Sequence, residues 1–272
     1  MTSEVFDAAG AGAYYDSESV STFYRSCWGG VDIHIGHYET GRETVGEASA
    51  AMTRLLLDRA GIGAGDQVLD ISCGFGGTLQ TLAQMGCEVR GIDIAEHSVE
   101  IAREKNAADG LGDRVQVDVG DFHNIDSADS VWDAAICQES VIHSPDRPKV
   151  FQEVFRVLRP GGVFAFSDIL TADKADMAMV EAAFTRLGAA PGATVQDYVD
   201  MAEAAGFNVA LAEARPEDIR THYDKLAEAL ETPVVGLDPD AQAAIAGSIS
   251  RWRAALAGGH ITWACFVAAK PE

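Results

Sequence analysis

Three carboxylates and a cluster of glycines carry the clearest chemistry in this chain. In VLDISCGFGG (68–77), Asp70 precedes a turn built from Gly74, Gly76 and Gly77, set between an apolar run and a helical pattern. Glycines in such a turn let the main chain approach a ligand and aim helix N–H groups at its anionic part. Asp93 follows the next apolar run, where a carboxylate can accept two hydroxyl hydrogen bonds from a ribose. Asp121 closes VQVDVGD (115–121), where it can meet the amino group of an adenine, with Phe122 beside the ring. A carboxylate at Asp70 would repel a dinucleotide pyrophosphate but suits a cationic amino group, which argues against a nicotinamide-dependent oxidoreductase.

The elements that must position these residues read plainly. ETVGEASAAMTRLLLDRAG (43–61) has apolar positions at helical spacing and stops at Gly61. Strands are expected at 66–72, 87–95, 115–121, 132–138 and 162–170, with helices between them, one opening with Pro148 in its first turn. Strand alternating with helix five times predicts a mostly parallel sheet covered on both faces. The tail differs: a helix ending at Gly206, a strand, a largely helical stretch (216–257) and an apolar C-terminal strand. Its two strands suggest an antiparallel hairpin at the sheet edge.

Ligands of open α/β sheets sit beyond the carboxyl ends of the strands. ICQESVIHSPDR (136–147) leaves the fourth strand there and presents Gln138, Glu139 and His143. His143 titrates near neutrality and suits a general base, and Glu139, one helical turn earlier, can orient it. Near the N-terminus, Tyr15, Tyr24 and Trp28 can form one wall of a cage for a sulfonium or ammonium cation, each contact worth about 1 kcal/mol or more without water. Asp32, His34 and His37 raise the idea of a metal, but their spacing matches no strong ligand motif and none is expected.

VLDISCGFGG, GIDIA and VGDFHN resemble the first three motifs of the class I S-adenosylmethionine-dependent methyltransferases, and LRPGGVFAFSD resembles their fifth-strand entry. The resemblance covers 66–170; Ser72 stands where that family usually has its first glycine. It implies an α/β, Rossmann-like class I methyltransferase fold: a seven-stranded, mostly parallel sheet with an antiparallel C-terminal strand, plus an N-terminal lid and helical cap insertions. The expected division is a lid over 1–42 and a methyltransferase domain over 43–272, with the cap at about 216–257. S-adenosylmethionine is the implied cofactor and S-adenosylhomocysteine the product. Their site would comprise Asp70, Ser72, Gly74, Gly76, Gly77, Asp93, Ile94, Asp121, Phe122 and Gln138.

Three stretches narrow this. YYDSESVSTFYRSCWGGVDIHIGHYE (14–39), QESVIHSPDRPKVFQEVFRVLRPGG (138–162) and GGHITWACFVAAKP (258–271) together look like the sarcosine/dimethylglycine N-methyltransferases of glycine-betaine synthesis. That likeness implies stepwise in-line methylation of a small, deprotonated amine. A more distant likeness, to phosphoethanolamine methyltransferases, pairs Tyr15 with His143 at the methyl centre and puts Ile33 and His34 on cofactor-contacting positions. A substrate carboxylate calls for an arginine; Arg42, Arg25 and Arg220 are candidates, and the sequence does not choose among them.

Composition bounds the rest. The net charge of −22 repels phosphate backbones, so nucleic acid is a poor partner, and such acidity suits a setting of high salt or osmolyte. No apolar run is long enough to span a bilayer. MTSEVFDAAG lacks the features of a secretion signal, and the five cysteines form no CxxC pair, so a reducing cytoplasm is expected.

Overall fold

The computed structural model describes residues 18–185, 189 and 191–272. Tyr15 lies outside the described residues.

Seven strands form one sheet: β1 Gln67–Asp70, β2 Glu88–Asp93, β3 Val115–Val119, β4 Trp132–Gln138, β5 Leu158–Thr171, β6 Asn208–Ala214 and β7 Ile261–Ala269. Their order is β3-β2-β1-β4-β5-β7-β6. β1 to β5 pair in parallel, while β7 runs antiparallel to both neighbours, β5 and β6. The expected fold class therefore holds. The expected antiparallel pair at the sheet edge holds as well: β6 pairs with β7, the two helices Pro216–Ala229 and Pro239–Ala257 form the excursion between them, and the C-terminal strand takes the inner place beside β5, leaving β6 at the edge. β7 pairs with β5 from Val163↔Ala269 to Thr171↔Ile261, and its run of buried residues suits an inner strand.

The two faces of the sheet follow the strand period of two. Ala134 and Ile136 of β4 face one core with Met52, Leu56, Trp252 and Trp263; Ala135 and Cys137 face another with Phe151, Phe164 and Phe166. In the second core Phe166 and Phe266 stack at 4.6 Å across the β5–β7 pair. The helix Val45–Ala60 starts in a capping box of Thr44 and Glu47 and ends at Gly61 in the left-handed region. It buries Met52, Leu56 and Leu57.

The N-terminal stretch enters as a helix, Glu18–Phe23, and a π-helical turn, Tyr24–Trp28, then reverses at Gly29 (φ 144°) and Gly30 (φ 85°). It next runs along the helix Val45–Ala60. A Cβ at Gly36 would collide with Ala48, and the His37 N–H donates to the Ala48 carbonyl at 2.9 Å. The chain order reverses between β1 and β4, so the crevice for a ligand opens beyond the ends of those two strands. Val31 to His34 cross that opening.

Candidate active site

β1 delivers Asp70 to the crevice, and the turn after it is shaped by Gly74 (φ 51°) and Gly76 (φ 87°) before the helix Gly77–Gln84 begins. Gly76 also packs against the neighbouring helix, where a Cβ would lie 3.1 Å from Ala102 Cβ. Asp93 at the end of β2 braces this turn: its Oδ2 accepts from the Gly74 N–H and its Oδ1 from the Ala95 N–H, both at 2.9 Å. Ser72, in the place of the usual glycine, donates from Oγ to Ser140 Oγ at 2.6 Å, tying the first turn to the loop after β4. Asp70 is 3% exposed, and burial, with Asp93 and Asp32 adding to it, pushes its carboxyl up to about 7 although the Ser72 N–H opposes the shift. A bound cation would restore its charge.

The cleft leaves about 970 Å³ of space between and in front of its lining atoms, open solvent included. One wall carries Asp93, Ile94, Asp121 and Phe122; the β4 end supplies Gln138, Glu139 and His143; Ile33 and His34 close it from the N-terminal stretch. The structure thus brings together, around one space, every expected cofactor residue except Gly76, which stands one residue behind the lining.

His143 faces this cleft but is not the near-neutral base expected. Burial, then the positive charge of Arg147, pushes its pKa down to about 4, so the imidazole is neutral throughout the physiological range. Glu139 takes a different part from the one expected. Its Oε1 accepts from the Ile35 N–H at 2.7 Å and from Trp263 Nε1 at 3.0 Å, fastening the N-terminal stretch to the sheet. Burial pushes its carboxyl up to about 8, and its backbone sits at φ 59°.

The expected aromatic wall stands elsewhere. Tyr24 and Trp28 are buried but do not line the cleft; they pack with Phe23, and Trp28 meets His222 at 4.8 Å and Tyr223 at 6.1 Å between ring centroids. Trp28 Nε1 donates to the His34 carbonyl, so its polar edge serves the segment and not a substrate. None of the three candidate arginines lines the cleft. Arg42 and Arg25 are exposed, and Arg220 pairs with Glu217 on the helix Pro216–Ala229. Among the described residues no lysine or arginine lines the cleft, while Arg147, at the start of the next helix, acts on His143 electrostatically.

Several lining residues escaped the sequence. His123 bridges Asp121 Oδ1 and Ser144 Oγ, each at 2.7 Å, and fixes the wall expected at the adenine. It stands in VGDFHN beside the two residues singled out there, so adjacency was the available signal. Thr78 Oγ1 donates to Gln138 Oε1 at 3.3 Å, across a distance in sequence that no local pattern reveals. Asp32 reaches the cleft although the spacing DIHIGH suggested only a weak metal motif.

A glycine turn after β1, acids closing the first three strands, and a sheet in this order with only β7 reversed define a class I methyltransferase. The methyltransferase-domain family model matches residues 62–215. The chain is 34% identical over 220 residues to a dimethylglycine N-methyltransferase of Parasynechococcus marenigrum (strain WH8102), covering 80% of this chain and 79% of the relative. It is 30% identical over 264 residues to a sarcosine/dimethylglycine N-methyltransferase of Aphanothece halophytica, covering 95% of each. A solved structure from Galdieria sulphuraria, provisionally named a sarcosine dimethylglycine methyltransferase, superposes with a TM-score of 0.87 at 28% identity over 94% of this chain and 99% of that one. The chain belongs to the sarcosine/dimethylglycine N-methyltransferase family, and its cofactor is S-adenosylmethionine.

The residues present fit that cofactor. Gly77 lets the Asp32 carboxylate lie against the start of the helix Gly77–Gln84, where a Cβ would collide with it. Among the described residues, a buried donor, Gln138 Nε2, and a buried acceptor, Asp32 Oδ1, have no hydrogen-bond partner at the cleft, as expected of groups that await a ligand.

Proposed function

We propose that this chain methylates the amine nitrogen of sarcosine and of dimethylglycine, the steps that end in glycine betaine. The observation that carries this reading is a likeness to the Aphanothece enzyme extending over 95% of both chains, well beyond the matched domain and including the stretch that closes the cleft. When bound, the cofactor supplies an electrophilic methyl group on a sulfonium. In this reading Asp93 holds the ribose hydroxyls, and Asp121 and Phe122 hold the adenine. The Ser72–Ser140 bond keeps the turns after β1 and β4 in register. His143, neutral in its buried site, orients the deprotonated amine so that the amine's lone pair faces the methyl. Arg147, whose charge reaches His143, is the arginine best placed for the substrate carboxylate. Tyr15 remains the proposed partner of His143, and residues 1–42 the proposed lid.

Rates of S-adenosylhomocysteine formation with glycine, sarcosine, dimethylglycine and phosphoethanolamine test this. Sarcosine or dimethylglycine should lead in kcat/KM. Transfer confined to phosphoethanolamine or to neither kind of acceptor would keep the methyltransferase and remove the substrate assignment.

A further inference from the structure

Among the described residues, Asp32 is the least braced of the acids that line the cleft. It is 7% exposed, and its Oδ1 is buried with no hydrogen-bond partner within bonding distance among the described residues. Its only ion-pair neighbour there is His34 Nε2, at 3.6 Å. Asp93 and Asp121, by contrast, accept two hydrogen bonds each, and Asp70 and Glu139 also have N–H donors. A buried carboxylate oxygen without a hydrogen bond is costly, and one facing a ligand space is a place prepared for a cation.

Its position says which cation. Asp32 lies against Gly77, at the start of the helix Gly77–Gln84, and in the electrostatic reach of Asp70. Asp121 and Phe122 mark the adenine wall, Asp93 the ribose, and His143 the methyl centre. The corner left, between Asp70 and the glycine turn, is that of the methionine tail, which carries one ammonium and one carboxylate. Asp32 and Asp70 offer only acceptors to that tail, while Gln138 Nε2 offers a buried donor without a partner among the described residues. We propose that Asp32, from the N-terminal stretch, is a cofactor-binding residue that holds the α-ammonium of S-adenosylmethionine together with Asp70. Cofactor binding then also seats the stretch Val31–His34 over the cleft. The inference rests on the cofactor and not on the identity of the methyl acceptor.

The rival is a structural one: Asp32 serves only to face the positive end of that helix and pair with His34. Calorimetric binding of S-adenosylhomocysteine and of its analogue lacking only the α-amino group separates the two. In Asp32→Asn, S-adenosylhomocysteine should bind roughly tenfold more weakly or worse, while the deaminated analogue stays within about twofold of its wild-type affinity. The melting temperature of the cofactor-free variant should fall only modestly, through loss of the Asp32–His34 pairing. Asp32→Ser, neutral and smaller, carries the same signature should the asparagine variant fold poorly. Equal losses for both ligands, or no loss for either, would overturn the assignment. Loss of sarcosine methylation with intact binding of both ligands would also overturn it, and bears separately on the acceptor.

Discussion

The N-terminal stretch contains two regions of opposite use, divided by Gly29 and Gly30. Before the glycines, Phe23, Tyr24 and Trp28 bury their rings against each other and the helix Pro216–Ala229. After them, Val31, Asp32, Ile33 and His34 line the cleft. The aromatic half looked like a cation cage because rings suit cations, yet its rings are spent on packing. The half with the plainer composition carries the ligand-facing groups. What separates them is a reversal that needs glycine at φ 144° and φ 85°, so the backbone, and not ring content, decides which residues reach the site. The same glycines let an aromatic anchor hold a polar segment in place: Trp28 Nε1 and Ser49 Oγ both donate to the His34 carbonyl.

That division can be broken or sharpened by substitution. Trp28→Ala should cost about 3–5 kcal/mol of stability in denaturant unfolding, as for a buried aromatic. The gentler Trp28→Phe should leave cofactor and dimethylglycine affinity nearly intact; a selective loss of either at unchanged stability would mean the aromatic half reaches the site after all. Asp93→Ala should weaken S-adenosylhomocysteine by about 1.5–3 kcal/mol in calorimetry, because charge-assisted bonds are lost and the Gly74 N–H is left without its acceptor. Unchanged affinity would misplace the ribose. Arg42→Ala, at an exposed position outside the cleft, should move stability by no more than about 0.5 kcal/mol and leave KM for dimethylglycine unchanged. A raised KM would return Arg42 to the substrate.

The buried acids also give the protein a pH signature. Asp70 and Asp168, pushed up to about 7, and Glu139, pushed up to about 8, keep protons in the folded chain that the unfolded chain releases at lower pH. Each therefore lowers stability as pH rises toward its folded value. His143 and His222, pushed down to about 4 and about 3 by burial first, act in the opposite direction, but only below about 6.5, where unfolded imidazoles take up protons. His34 is raised: burial would lower it, but Asp32 and Glu139 together prevail, and its contribution too is lost as pH climbs past 6.5. Between pH 6.5 and 8 the melting temperature of the cofactor-free protein should fall, with Glu139→Gln flattening the upper part of the slope. A rising melting temperature across that window would contradict the assigned protonation states.

Much of this was legible in the chain. Asp70, Gly74, Asp93 and Asp121 mark the ends of local strand–turn units, and local units are what periodicity and turn residues encode. The antiparallel pairing of the two tail strands at the sheet edge was legible too, but their order was not. That β7 inserts beside β5 depends on matching its long apolar run to a sheet position, which no local pattern specifies. The role of Glu139 was hidden for the same reason, since its partners, Ile35 and Trp263, are 104 and 124 residues away. The pKa of His143 was misjudged because burial, and a charge brought by Arg147, appear only once the chain has folded.

The substrate assignment has one direct test. Purified protein is given S-adenosylmethionine labelled in its methyl carbon, with sarcosine or dimethylglycine, and the products are read by mass spectrometry. Label should appear in dimethylglycine from the first and in glycine betaine from both or from the second. Cofactor that binds but passes no label to either amine, at any concentration of acceptor, would contradict it.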